Sequence, residues 1–160
     1  MLFGLARRIT GNPDDAMDVL QDSCVKAWNA IAEVQGASFR SWMSTIVSRT
    51  ALDRVRARRP LVPLADEDDV VIPLPDPRPG PETQALARDR VGLIETALQR
   101  LTPEHRAIVL MRDLGDLSYE EMASALDLPL GTVRSRLARA RVALQGQLLS
   151  LDPGILEALA

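Results

Sequence analysis

Leu117 to Leu144 reads LSYEEMASALDLPLGTVRSRLARARVAL. Ser118 followed three residues later by Glu121 spells a capping box, which predicts a short helix with Met122, Ala123 and Leu126 turned inward. Asp127-Leu128-Pro129-Leu130 then turns the chain, and Gly131 to Leu144 carries four arginines and no acid. At about 100° per residue, Val133, Leu137, Ala140 and Leu144 fall on one narrow stripe, the expected buried side of a second helix. Ser135, Ala138, Arg139 and Val142 centre on the opposite side, with Arg134, Arg136 and Arg141 flanking them. A capped short helix, a tight turn and a basic second helix match helix-turn-helix geometry, in which the second helix enters the DNA major groove. The small side chains of Ser135 and Ala138 permit close approach. Arg134 and Arg139 are the candidates for paired bonds to guanine, and Arg136 and Arg141 for phosphate contact. The competing structural reading is a solvated basic face on a scaffold helix.

Outward from this stretch, composition bounds the rest. The chain has 160 residues, 46% of them hydrophobic and only 3% aromatic, with Ala, Leu and Arg recurring at helical spacing. That predicts an all-α protein of one ordinary or two small domains. One cysteine, Cys24, and one histidine, His105, exclude an internal disulfide and an ordinary zinc cage, so neither metal nor cofactor is expected. No apolar run approaches the roughly 20 residues of a membrane span, which predicts a cytoplasmic protein without membrane insertion. The formal net charge of −3 is unevenly spread. Residues 1–59 balance at +3, residues 60–85 at −5 and residues 86–160 at −1.

Residues 60–85 contain seven of the eleven prolines. They are read as an extended acidic linker, because proline lacks an amide donor and disfavours helix before it. After the linker, residues 82 to 100 read as a helix packing through Leu86, Val91, Ile94 and Leu98. Thr102-Pro103-Glu104 is a cap-plus-proline start for a helix carrying Ile108, Val109 and Met111 and stopping at Gly115. Before the linker, Asn12-Pro13-Asp14-Asp15 starts a helix to about Ile31 or Glu33. Its apolar face is expected to be Leu20, Cys24, Ala27, Trp28 and Ile31, with Cys24 a small buried hydrophobe, and its outward face Asp15, Asp18, Gln21 and Asp22. Ser38 caps a further helix from Phe39 to about Arg58. From Gly36 to Arg59 six arginines face the single acid Asp53, more than helix-end electrostatics requires.

Two stretches carry a family resemblance. GNPDDAMDVLQDSCVKAWNAI with SFRSWMSTIVSRTALDRVRAR resembles the second conserved module of the sigma-70 family of bacterial initiation factors. LTPEHRAIVLMRDLGDLSYEEMASALDLPLGTVRSRLARARVAL resembles the fourth module, in the compact form of the extracytoplasmic-function (ECF) group. Together they cover about two-thirds of the chain. The resemblance implies two small helical domains joined by a flexible linker: residues 1–59 as the second module, 60–85 as the linker, 86–150 as the fourth module and 151–160 as a tail. It implies a non-enzymatic factor whose partners are core RNA polymerase (through the clamp helices and flap), promoter DNA and an anti-sigma factor. Asp15, Asp18, Gln21 and Asp22 correspond to the face that docks on the clamp helices. Arg40, Trp42, Arg49, Arg54 and Arg56 correspond to the region that opens the minus-10 element and supports a flipped base. Thr132, Arg134, Ser135, Arg136, Ala138, Arg139 and Arg141 correspond to the minus-35 reader. Two departures stand out: the first helix is shorter than in relatives, and Arg49 stands where many of them have Asn.

Two other functions compete. A one-component helix-turn-helix regulator would use residues 1–59 as a sensor or dimerisation domain, and the acidic stripe with six arginines argues against it. A nucleic-acid enzyme would need converging catalytic groups, and the sequence offers neither a metal-ligand cluster nor a nucleophile-base pair.

Overall fold

The computed structural model describes residues 1–33, 38–58 and 90–154, and these form seven α-helices and one short 3-10 turn. The helices are α1 (Leu2–Thr10), α2 (Pro13–Ala30), α3 (Phe39–Arg58), α4 (Arg90–Gln99), α5 (Pro103–Asp113), α6 (Tyr119–Leu126) and α7 (Leu130–Leu151), with the 3-10 turn at Ile31–Glu33 after α2. No strand occurs among the described residues, as an all-α fold requires. Residues 60–85, read as linker, and the second half of the tail lie outside the described residues, as does Leu86.

The helix ends sit where local chemistry puts them. Asn12 Oδ1 accepts from the amides of Asp14 and Asp15, with Pro13 at the first helical position of α2. Ser38 Oγ accepts from the Ser41 amide at the head of α3, and Thr102 Oγ1 from the His105 amide at the head of α5. The Ser118–Glu121 capping box is complete. Gly11 ends α1 in the left-handed region at φ 74°, and a Cβ there would lie 2.8 Å from Gln99 Oε1, so both the turn and the close approach call for glycine.

Helices α1, α2 and α3 pack on one another, and α5, α6 and α7 do likewise, but the two groups share one core. Leu5 and Ile9 of α1, Val47 of α3, and Ile108 and Met111 of α5 are all fully buried in the same apolar cluster. The inner face of α1 lies against α3 and α5, and burying side chains such as Leu5 and Ile9 contributes about 2 kcal/mol each. Polar contacts reinforce the joint. Arg7 and Arg8 pair with Glu95 at 3.0 and 2.7 Å, Gln99 donates to the Arg8 carbonyl, and Arg56 pairs with Glu104. Leu148 near the end of α7 packs with Leu93 and Ala97 of α4 in a smaller cluster.

Two expectations are corrected. The buried face of α2 is Asp15, Ala16, Val19, Ser23 and Ala27, not the face through Cys24, Trp28 and Ile31. Cys24 is exposed, Trp28 is 79% exposed and Ile31 54%. The reason lies in α3, whose buried Ser44, Ser48 and Ala51 are small enough for α2 to pack closely through its own small residues. The second correction is Val91, which is exposed, while Leu93, Ala97 and Leu98 carry the burial of α4.

Candidate polymerase and nucleic-acid interfaces

Asp15 sits on the inward side of α2, only 3% exposed, although it was expected on the outward acidic face. A buried carboxylate needs charge compensation, and Asp15 has it from Arg54 and Arg58 of α3. Arg54 also pairs with Asp18. Desolvation works against the Arg54 charge, but Asp18 and Asp15 outweigh it and hold the guanidinium above its ordinary value. Asp15 is therefore a structural anchor for α3, buried where the other three predicted residues are exposed, and joined to Asp18 through Arg54. Asp18, Gln21 and Asp22 are exposed. At about 100° per residue Gln21 borders a strip of Met17, Cys24 and Trp28, with Asp18 and Asp22 further round beyond exposed Val25, so the exposed surface of α2 is apolar along one side and acidic along the other. Such a face fits a macromolecular partner, since exposed large apolar groups in a row are uncommon on a free surface.

The five predicted minus-10 residues do not form one basic track. Arg40 is exposed at the head of α3. Trp42 is half-buried, its ring 5.8 Å from that of exposed Phe39, leaving a small aromatic surface beside Arg40. Arg49 is exposed and lines a cleft between α3 and the end of α6 with Asp53, Arg56 and Asp127. Arg54 is turned toward α2, and Arg56 toward Glu104 of α5.

The minus-35 candidates fall on one outward surface of α7. Val133, Leu137 and Ala140 are buried and Leu144 is packed against them, while Arg134, Ser135, Ala138, Arg139 and Arg141 are exposed and Thr132 and Arg136 are half-buried. The turn before α7 relies on Asp127 in the left-handed region at φ 55°, whose amide bonds to the Ala123 carbonyl. Arg141 pairs with Asp113 of α5 at 2.7 Å, which directs it back toward the protein. Beside Arg139 and Ala138, Val142, Ala143 and His105 line an open groove. No group of histidine, cysteine or acidic side chains suited to a metal ion occurs among the described residues. No helix among them is long and apolar enough to cross a membrane.

Two residues here carry roles that periodicity did not reveal. Tyr119 lies beneath the guanidinium carbons of Arg112 and Arg134, at 5.3 and 5.6 Å from its ring centre. Glu121, besides closing its capping box, accepts a hydrogen bond from Ser41 of α3. The Ser41 hydroxyl and the Ser118 amide hold the Glu121 carboxyl below its ordinary range. Because the folded value is lowered, this stabilisation is fully present above the ordinary glutamate value of about 4.5 and is lost as pH falls through the folded value. Glu121→Gln is therefore expected to destabilise the protein by about 1 kcal/mol at neutral pH. In thermal melts the two proteins should converge as the pH falls through and below the folded value. A gap that stays constant with pH would separate the effect from the carboxylate charge.

Comparison with known proteins identifies the family of the chain. The sigma-70 region 2 family model matches residues 1–60, and the sigma-70 region 4 family model matches residues 92–144. The ECF RNA polymerase sigma factor SigE of Mycolicibacterium smegmatis is 36% identical over 149 residues, covering 92% of this chain and 57% of that protein. The chain thus spans little more than half the length of that relative. The ECF RNA polymerase sigma-E factor of Haemophilus influenzae is 33% identical, covering 92% of this chain and 80% of its own length. The solved structure of the sigma factor RpoE with the anti-sigma factor NepR, from Bartonella quintana, aligns with a TM-score of 0.63 at 25% identity, covering 94% of this chain and 91% of that one. With both sigma-70 regions matched in order and identity above 30% across most of its length, the chain belongs to the ECF group of sigma-70 family RNA polymerase sigma factors.

Proposed function

We propose that the chain is a non-enzymatic subunit that joins core RNA polymerase in the cytoplasm, recognises a two-part promoter and helps to melt it. The observation that carries this reading is the division of α7 into a buried Val133–Leu137–Ala140 stripe and an exposed face of Arg134, Ser135, Ala138 and Arg139. Small side chains between two arginines allow the helix backbone to approach base edges in the major groove. That face reads the minus-35 element. Arg40 and Arg49, with the Phe39–Trp42 aromatic surface, serve the minus-10 element, where unstacked bases need stacking and a basic approach. The outward edge of α2, with Asp18, Gln21 and Asp22, docks on the polymerase clamp helices, and Asp15 supports it from within. An anti-sigma factor covers part of these surfaces when the factor is held inactive. The solved relative bound to NepR supports that last assignment.

A four-arginine helix on a chain of net charge −3 is a weak DNA binder by itself, because phosphate contacts dominate non-specific affinity and repulsion opposes it. The free chain is therefore expected to shift promoter duplex poorly in an electrophoretic assay and strongly with core enzyme. Run-off transcription with core polymerase across a promoter library tests the base contact. Arg139→Ala should lose about tenfold in output at promoters preferring one upstream base and little elsewhere. A uniform loss would make Arg139 a phosphate contact. An unchanged library profile would remove Arg139 from promoter recognition.

A further inference from the structure

The stack at Tyr119 extends the proposed minus-35 reading and rests on it. Tyr119 opens α6, the first helix of the helix-turn-helix, whereas Arg134 stands in the second turn of α7. Arg134 is exposed and has no carboxylate partner among the described residues; its guanidinium carbon lies 5.6 Å from the Tyr119 ring centre. The same ring holds the Arg112 guanidinium at 5.3 Å, and Arg112 is itself tied down by donating Nη1–H to the Leu117 carbonyl at 2.7 Å. Two like charges over one ring repel each other, so stability alone gives little reason to gather them there. The arrangement does have a consequence for recognition. An exposed arginine otherwise samples many rotamers, and ordering it on DNA opposes binding. A ring whose own position is anchored through Arg112 keeps the Arg134 guanidinium in one place before DNA arrives.

We propose that Tyr119 is a positioning residue for promoter recognition: its ring presents Arg134 from the second turn of α7, with Arg112 bracing the ring from α5. Tyr119 makes no base contact in this role and acts through Arg134. The hydroxyl is not needed, so the aromatic face alone should suffice.

The experiment is run-off transcription by the full chain with core polymerase on a promoter library randomised across the upstream element. The variants are Tyr119→Phe, Tyr119→Leu, Tyr119→Met, Arg134→Ala, Arg139→Ala and the Tyr119→Leu/Arg134→Ala double, with thermal melts beside each. Tyr119→Phe should keep wild-type selectivity. Tyr119→Leu and Tyr119→Met should lose about fivefold in selectivity at the same upstream position as Arg134→Ala. The double variant should be no worse than Arg134→Ala alone, the non-additivity expected of residues acting as one unit. The proposal is overturned if the leucine and methionine variants keep wild-type selectivity while Arg134→Ala loses it, or if the two losses add in the double variant. It also falls if Arg134→Ala changes nothing while Arg139→Ala still does. The broader minus-35 reading falls separately, if neither arginine variant alters the upstream profile.

Discussion

Asp22→Arg is expected to weaken retention of core RNA polymerase about 30-fold while leaving the melting temperature of the free chain unchanged. Asp22 is exposed on α2, next to Gln21 and one turn beyond Asp18, and has no ion pair among the described residues. Its replacement therefore breaks nothing inside the fold, and surface substitutions of this kind fall within about ±0.5 kcal/mol. At a complementary interface the same change both removes an attraction and adds a repulsion, and loss of about 2 kcal/mol is the usual scale for such a reversal. Asp18→Arg is a poorer probe because it also abolishes the Asp18–Arg54 pair. Fluorescence anisotropy of labelled chain against core enzyme, at two salt concentrations, reads the effect. The gap should narrow as salt rises, since screening acts on exposed charges. Unaltered affinity for Asp22→Arg would mean that polymerase docks elsewhere.

Ile108→Ala should carry the largest cost in stability, about 3 to 4 kcal/mol, from lost transfer energy and the cavity left behind. Ile108 is fully buried at the middle of α5, in the cluster that also contains Leu5 and Ile9 of α1 and Val47 of α3. Because both halves share this core, calorimetry should record one transition, lowered by about 10 °C. Two transitions, with only one displaced by the substitution, would mean that the halves have separable cores and that their shared cluster contributes little.

The elements most fully legible in the sequence were those whose signals act over three or four residues. The Asn12, Ser38, Thr102 and Ser118 caps all form as read, and α3 ends at Arg58 as expected. The buried stripe of α7 was legible too, because Val133, Leu137 and Ala140 repeat at helical spacing while Ala138 and Val142 on the opposite face stand among arginines. On α2 the same method failed. Both faces of that helix carry apolar residues, so periodicity had two solutions, and large side chains at Trp28 and Ile31 made the wrong one look stronger. The outward position of Asp18, Gln21 and Asp22 was legible, but Asp15 was grouped with them because its compensating arginines lie 39 and 43 residues away. Tyr119 escaped notice for a similar reason. Its partners Arg112 and Arg134 belong to neighbouring helices and meet over its ring only after the helix-turn-helix closes.

Local sequence alone thus decided that the chain is helical, where most of its helices begin, and that α7 has an arginine face opposite an apolar stripe. Hydrogen bonds at helix ends and the 100° step between residues are short-range, and both are already present in the linear order. Folding in three dimensions decided which side of α2 is covered, that α1 and α5 join two modules into one core, and which arginines pair with carboxylates. Those outcomes depend on burial and on charge pairing between helices distant in the chain. A guanidinium beside Asp15 or Glu104 is committed to an ion pair inside the fold, whereas Arg134 on α7 lies over the Tyr119 ring with no carboxylate partner among the described residues.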